Sequence, residues 1–145
     1  MKFRTFLVFT VLAGSMLGAC DWFEDPTPES VRVMIDGTPG DTLLVVTSSV
    51  FVAAQNELGE TTVNPFVADT TVWVLPVDRT FDIREDQRFL IRGVPADSAA
   101  SVSIDVNVQV DSRSPWAADV EVTYVNPFLF LFLFNQEIVS DFELL

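Results

Sequence analysis

The sequence contains no histidine, a single cysteine and few basic residues. Its 145 residues include eight lysines and arginines against 21 aspartates and glutamates, which gives a formal net charge of −13. Without histidine, the chain cannot form a Ser-His-Asp triad, a Cys-His pair or a zinc site that needs imidazole. One cysteine excludes an internal disulfide and a multi-cysteine metal site. A chain this acidic repels phosphate backbones, so we expect no nucleic-acid partner.

The motifs of common enzymes are also missing. The sequence has no Gly-rich phosphate loop, no G-x-S-x-G and no Ser-x-x-Lys. Carboxylates remain as acid–base candidates, as in glycoside hydrolysis, and Asp82, Glu85, Asp86 and Asp97 cluster in or near predicted turns. No spacing rule selects these four among the 21 acids. They also offer oxygen ligands for calcium, but without the spacing of an EF-hand. We therefore predict that the protein is not an enzyme, with no cofactor and no metal site.

The first 20 residues have the anatomy of a secretory signal. Lys2 and Arg4 form a basic start, a mostly apolar run follows from residue 6 to 12, and small residues precede Cys20. The tetrapeptide Leu17-Gly18-Ala19-Cys20 resembles the lipobox of bacterial lipoproteins, while the rest of the chain resembles no family that we recognise. The resemblance implies that a signal peptidase cuts between Ala19 and Cys20. It further implies that Cys20 carries acyl chains such as palmitate, which anchor the protein in the inner or outer membrane of the cell envelope.

The implied cleavage divides the chain into three parts. Residues 1–19 are the predicted signal peptide, residues 20–30 an acidic, proline-containing tether, and residues 31–145 a single β domain. Removal of Lys2 and Arg4 leaves six basic residues, all arginine, against 21 acidic ones. The mature net charge is therefore −15, which an anionic membrane surface repels. Attachment to the membrane consequently depends on the acyl chains.

The domain has the two-residue period of β-strands. Residues 101–111 alternate apolar and polar side chains without interruption, which is typical of a strand with one solvated face. Similar strands are predicted at 31–35, 42–54, 71–77, 80–84, 88–94 and 119–125, with turns between them and an interruption at Asn64-Pro65. Eight to ten short strands predict an all-β antiparallel β-sandwich, immunoglobulin-like or a related Greek key. A small up-and-down β-barrel is the alternative, and the signal peptide is the only predicted helix.

One predicted strand, residues 128–134, is apolar on both faces. Phe128, Phe130, Phe132 and Phe134 form one face, and Leu129, Leu131 and Leu133 form the other. Four interpretations stay open: a central strand covered by loops or the C-terminal segment, a patch that docks a partner or a second copy, contact with the bilayer, and the wall of a ligand cavity. The leading hypothesis is a lipid-anchored, non-catalytic binding or assembly domain that uses this strand as its contact. A carrier of a small apolar ligand is the alternative.

Overall fold

The structure is a computed structural model that describes residues 27–55, 58–59 and 61–134 and the backbone of residues 139–140. This part of the chain forms β-strands and no helix. The predicted signal peptide, the lipobox and most of the predicted tether lie outside the described residues. The strands are β1 (Ser30–Gly37), β2 (Thr42–Gln55), β3 (Thr61–Val74), β4 (Val77–Asp82), β5 (Arg88–Pro95), β6 (Ser101–Val110), β7 (Trp116–Thr123), β8 (Phe128–Leu133) and β9 (Val139–Ser140).

The strands form two separate sheets, which confirms the predicted antiparallel β-sandwich. Sheet A has the order β4-β1-β6-β7, and sheet B has the order β3-β2-β5-β8. Every neighbouring pair in these orders is antiparallel, whereas the short β9 runs parallel to the end of β2. The first four strands keep β4 beside β1 and β3 beside β2. Four strands in which the fourth returns to lie beside the first form a Greek key, and here the β1–β2 connection divides them between the two sheets.

The two ends of the sandwich differ in their connections. The pairs β1–β2, β3–β4, β5–β6 and β7–β8 each pass from one sheet to the other at the same end, which we name the crossover end. The opposite end, named the terminal end, contains Thr27, the β6–β7 turn and the last residue of β8. The β2–β3 hairpin extends beyond the other strands at the terminal end, because β5 pairs with β2 only as far as Ser48.

The core consists of the inward-pointing residues of both sheets. Along β6 the side chains alternate between buried and exposed or half-buried positions, as the sequence predicts. Sheet A contributes mainly β-branched aliphatic residues, whereas sheet B contributes large aromatic rings together with aliphatic ones. The buried members include Val31, Val33, Ile35, Val102, Ile104, Val106 and Val108 from sheet A and Leu43, Val45, Trp73, Phe89, Ile91 and Phe128 from sheet B.

The predicted boundaries of three strands were wrong, and one of these strands is β4, which spans Val77–Asp82 instead of 80–84. Asn64 and Pro65 do not interrupt a strand, because they lie inside β3, which begins ten residues before the predicted start at Thr71. A proline is tolerated there because β3 is the edge strand of sheet B and Pro65 has no amide hydrogen to offer a further strand. Strand β7 spans Trp116–Thr123 instead of 119–125, since its pairing with β6 begins at Trp116 opposite Val108.

The pairing of β8 with β5 depends on a glycine. Phe128 lies directly opposite Gly93 in this pair. A Cβ atom built on Gly93 would overlap Cε1 of Phe128, so the aromatic ring occupies the space that a side chain would need. An aromatic ring over a cross-strand glycine covers exposed backbone and fixes the register. Phe128 can take this position because Gly93 on β5 has no side chain.

We expect Gly93→Ala to lower the free energy of unfolding by about 1–3 kcal/mol, because the added methyl group must displace the buried ring of Phe128. Urea denaturation of the purified protein measures the change. Val125→Ala, at an exposed loop position, is the control and should change stability by less than about 0.5 kcal/mol. The second change Phe128→Leu should recover part of the loss in the Gly93→Ala background. Equal stability of Gly93→Ala and wild type would contradict the packing of the Phe128 ring against Gly93.

Candidate functional site

Strand β8 lies at the edge of sheet B and, among the described residues, pairs only with β5. Its phenylalanines point inward: Phe128 and Phe134 are buried, and Phe130 and Phe132 pack half-buried against the core. On the outer side, Leu131 and Leu133 pack against a second apolar cluster formed by Phe51, Ala53 and Leu90. Leu129 is the exposed residue of the strand, with 40% of its surface accessible.

Residues of β7 and of the β6–β7 turn cover the inner side of β8 at this edge. The ring of Trp116 lies 5.4 Å from the ring of Phe130 between centroids. The Arg113 guanidinium stacks over Phe132 and Phe134, at 5.6 Å and 5.1 Å from the ring centroids. Such cation–π contacts are attractive and allow the arginine head to stay near water. The phenylalanine side of β8 is therefore occupied by contacts within the domain.

The outer face of sheet B is apolar and carries no carboxylate on its described strand residues. We name it the apolar face. Its apolar members are Leu44, Val46, Phe51, Ala53, Val63, Val72, Val74, Leu90, Val94, Leu129, Leu131 and Leu133, and its charged members are Arg88 and Arg92. Uncharged polar residues, including Thr42, Gln55 and Thr70, occupy other outward positions. In a chain with 21 acidic residues, a sheet face without one of them is a marked departure from the average composition.

The outer face of sheet A is the opposite in character, and we name it the acidic face. It carries Asp36, Asp78, Asp82, Asp105, Asp119 and Glu121 against one arginine, Arg32. Asp36 lies opposite Asp105, and Asp105 lies opposite Asp119, so three neighbouring strands place carboxylates in one row. Like charges in such positions repel and favour contact with water. The acidic face is therefore the solvated face of the sandwich.

Contacts on the acidic face tie one of these acids to the arginine. The Arg32 guanidinium donates to both carboxylate oxygens of Asp78, with Nε 2.9 Å from Oδ1. These hydrogen bonds hold the pKa of Asp78 below its usual range. Within the described part of the chain, no group of three or more Cys, Asp or Glu side chains is arranged to hold a metal ion. The row of aspartates lines a groove of about 510 Å³ without forming a metal centre.

Two smaller cavities adjoin sheet B. One of about 180 Å³ lies on the apolar face and is lined by Leu44, Val46, Arg92, Val94 and Tyr124; we name it the Arg92 groove. The other, of about 240 Å³, opens between the sheets beside β3 and β4, and Phe81 and Phe89 form part of its wall. None of these three cavities is lined by the phenylalanines of β8, whose rings lie in the core cluster or pack against it.

The predicted site residues are distributed as follows. Cys20 and Ala19, the predicted lipidation and cleavage positions, lie outside the described residues. The carboxylates of Asp82, Glu85 and Asp86 belong to the terminal end, whereas Asp97 lies in the β5–β6 connection at the crossover end. The structure therefore does not bring the four acid–base candidates together.

The sequence did not point to the Arg92 groove. Its residues come from β2, β5 and the β7–β8 connection, and strand pairing makes neighbours of Leu44 with Val94 and of Val46 with Arg92. The sequence indicated this groove only weakly. Because β5 is apolar at most positions, its sequence does not show which residues face outward. The basic character of Arg92 was visible, but its isolation from acids follows only from the sheet.

Comparisons of the chain with protein-family models, with curated proteins and with solved structures give no match. The described residues contain no helix that is long and apolar enough to cross a membrane.

Asp111 holds the point where the tether joins the domain. Its carboxylate accepts hydrogen bonds from the backbone N–H of Glu29, at 3.0 Å, and from the N–H and hydroxyl of Ser30, at 2.8 and 2.9 Å. Asp111 has a φ of +46°, a region that aspartate and asparagine enter more readily than most residues. Partial burial alone would raise the pKa of Asp111, but the hydrogen bonds from Glu29 and Ser30 outweigh it and lower that pKa. The β6–β7 turn and the start of β1 are thereby joined.

We expect Asp111→Asn to lower the free energy of unfolding at pH 7 by about 1 kcal/mol, because the amide keeps the backbone conformation but replaces one acceptor oxygen with a donor. The folded pKa lies below the unfolded value of about 3.9. The stabilisation by the carboxylate is therefore complete above about pH 4 and disappears as the pH falls through the folded pKa.

Urea denaturation between pH 7 and pH 2 tests this expectation. The difference in stability between wild type and Asp111→Asn should shrink toward zero at the acid end. Ser103→Ala, an exposed change on the acidic face that removes no charge, is the control, and its difference in stability from wild type should not vary with pH. A wild-type advantage over Asp111→Asn that stays constant down to pH 2 would contradict a preference of these hydrogen bonds for the charged carboxylate.

Proposed function

We propose that this protein is a lipid-anchored lipoprotein of the bacterial cell envelope and that its β-sandwich is a non-catalytic binding or assembly domain. The observation that carries the binding role is the contrast between the two outer faces. The acidic face has the composition of a surface in water. The apolar face combines exposed aliphatic residues, such as Val72, Val74 and Leu129, with half-buried and buried ones, and none of its described outward-pointing strand residues is a carboxylate. Contiguous apolar surface of this kind is typical of docking sites.

The anchor is supported by the lipobox and by the position of the tether. Residues 21–26 separate Cys20 from Thr27, and six extended residues span at most about 22 Å. Thr27 belongs to the terminal end, so acyl chains on Cys20 would hold that end toward the bilayer. The apolar face would then stand beside the membrane, where it is accessible to other envelope proteins.

The contact proposed for the Phe/Leu strand is its leucine side. The phenylalanines of β8 contact the core, Trp116 and Arg113, and exchanging these contacts for a partner would open the sandwich. Leu129 needs no such change, because 40% of its surface is accessible. Its cross-strand neighbour Arg92 lies on the same face, so a partner that contacts one residue reaches the other.

We expect Cys20→Ala to abolish incorporation of radiolabelled palmitate and to move the protein from the membrane fraction to the soluble fraction. The reason is that a net charge of −15 gives the mature chain no attraction of its own to an anionic surface. Trp22→Ala, which changes a neighbouring residue outside the lipobox, is the control and should keep both the label and the membrane attachment. Unchanged membrane attachment of Cys20→Ala would contradict the proposed anchor.

We expect a photo-crosslinking amino acid at Leu129 to join the protein to one recurring envelope protein in intact cells. The same amino acid at Asp119, on the acidic face, is the matched control and should give little product. Mass spectrometry of the products identifies the joined residues. Only intramolecular products from position 129, or the same products from positions 129 and 119, would overturn the proposed role of the apolar face.

A further inference from the structure

We propose that the Arg92 groove binds an extended segment of a partner protein in which a carboxylate is flanked by apolar side chains. This inference rests on the proposed binding function and names the chemistry of the partner at that surface. It follows from the apolar lining of the groove and from the absence of an ion pair at Arg92 within the described residues. A second copy of the chain and a bilayer do not match both of these properties.

The groove combines an apolar floor with one cation. Leu44 and Val94 are cross-strand partners, and so are Val46 and Arg92, which makes a block of two neighbouring pairs on β2 and β5. Tyr124, of which 58% is exposed, stands at the side of this block and adds a phenol group. A surface of this kind recognises apolar side chains by contact and an anionic group by hydrogen bonds from the guanidinium.

Arg92 differs from the other arginine on the apolar face. The guanidinium of Arg88 donates to the carbonyl oxygen of Phe51 at 2.9 Å and stacks over the ring of that residue at 5.3 Å. Arg92 is exposed and makes no hydrogen bond, ion pair or ring contact in the described part of the chain. Since no described strand residue that points outward from sheet B is acidic, this part of the domain offers the guanidinium no carboxylate on its own face. A partner with a carboxylate supplies the missing charge.

A second copy and a bilayer match the charge of the groove less well. If two copies packed with their apolar faces together, each Arg92 would meet a face with no acid among its described outward-pointing strand residues, and burying an unpaired cation is costly. An anionic bilayer offers phosphates, but it repels a mature chain with a net charge of −15. A protein segment can offer a single carboxylate between apolar residues without the many negative charges of an anionic bilayer. The composition of the groove favours that occupant.

The test uses the full chain in detergent and two synthetic pentapeptides as probes. One is acetyl-Leu-Val-Asp-Val-Leu-amide, and the other has asparagine in place of aspartate. Binding is measured from chemical-shift changes of the Leu44, Val46, Val94 and Tyr124 resonances. We expect the aspartate peptide to bind about tenfold more tightly than the asparagine peptide, which is the size expected for one charge-assisted pair.

The variant Arg92→Gln should lose this tenfold preference while keeping a spectrum of the folded protein. Arg84→Gln, which removes an exposed arginine from the turn at the terminal end, is the matched control and should keep the preference. Equal binding of the two peptides to wild type, absence of shifts at the groove residues, or a preference that survives Arg92→Gln would overturn the proposal.

Two further measurements distinguish the other occupants. Arg92-dependent binding to vesicles of anionic phospholipid without binding of the aspartate peptide would overturn the proposal in favour of a lipid surface. Concentration-dependent dimerisation that Arg92→Gln strengthens, again without peptide binding, would overturn it in favour of a second copy. Crosslinks from position 129 that persist in Arg92→Gln, together with failure of the peptide test, would leave the proposed function standing and reject this inference alone.

Discussion

The packing of the aliphatic inner face of sheet A on the aromatic inner face of sheet B is the interaction on which the rest of the structure depends. Residues such as Val33 and Ile104 form a stiff β-branched surface, and rings such as those of Trp73 and Phe128 fill the space between the sheets. Because side chains alternate along a strand, the register that buries these residues also determines what each sheet shows to the outside. A shift by one residue would bury the aspartates of sheet A. The acidic face and the apolar face are thus set by the same packing.

Much of this fold could be predicted because the alternation is local. Strands β1, β5 and β6 begin and end close to the predicted residues, since turn-forming residues flank a clear two-residue period. Pro65 was misjudged for a long-range reason: a proline is acceptable only on an edge strand, and the edge is determined by which strands find each other. The same holds for β8, whose two apolar faces indicate burial but do not tell whether the strand is central or lies at an edge.

The same distinction applies to the candidate site: features that depend on neighbouring residues could be predicted, whereas features that depend on strand order could not. The lipobox is a contiguous motif, so the prediction for Cys20 needs nothing beyond neighbouring residues, and it stays a prediction. The prediction treated all seven residues of 128–134 as one contact surface. In the structure the phenylalanines face the core, and Leu129 is the exposed residue. The Arg92 groove could not be foreseen, because Leu44, Arg92 and Tyr124 become neighbours only through strand order. Its distinguishing property is a cation with no acid among the described outward-pointing residues of its sheet, and this property arises from strand pairing and not from any one segment.

The two edges of sheet B are unequal, and this has a consequence for how copies of the chain can join. Edge strand β3 carries Pro65 and irregular pairing with β2 that leaves Phe66 as an extra residue with 70% of its surface exposed. Both features hinder the backbone hydrogen bonds that a further strand would need to pair with β3. Edge strand β8 is regular over its six residues. Growth of a filament by strand addition needs two usable edges on every subunit, whereas sheet B offers one. Joining two copies through β8 would therefore use the one regular edge of sheet B in each copy and leave the irregular β3 at both outer edges of the joined sheet.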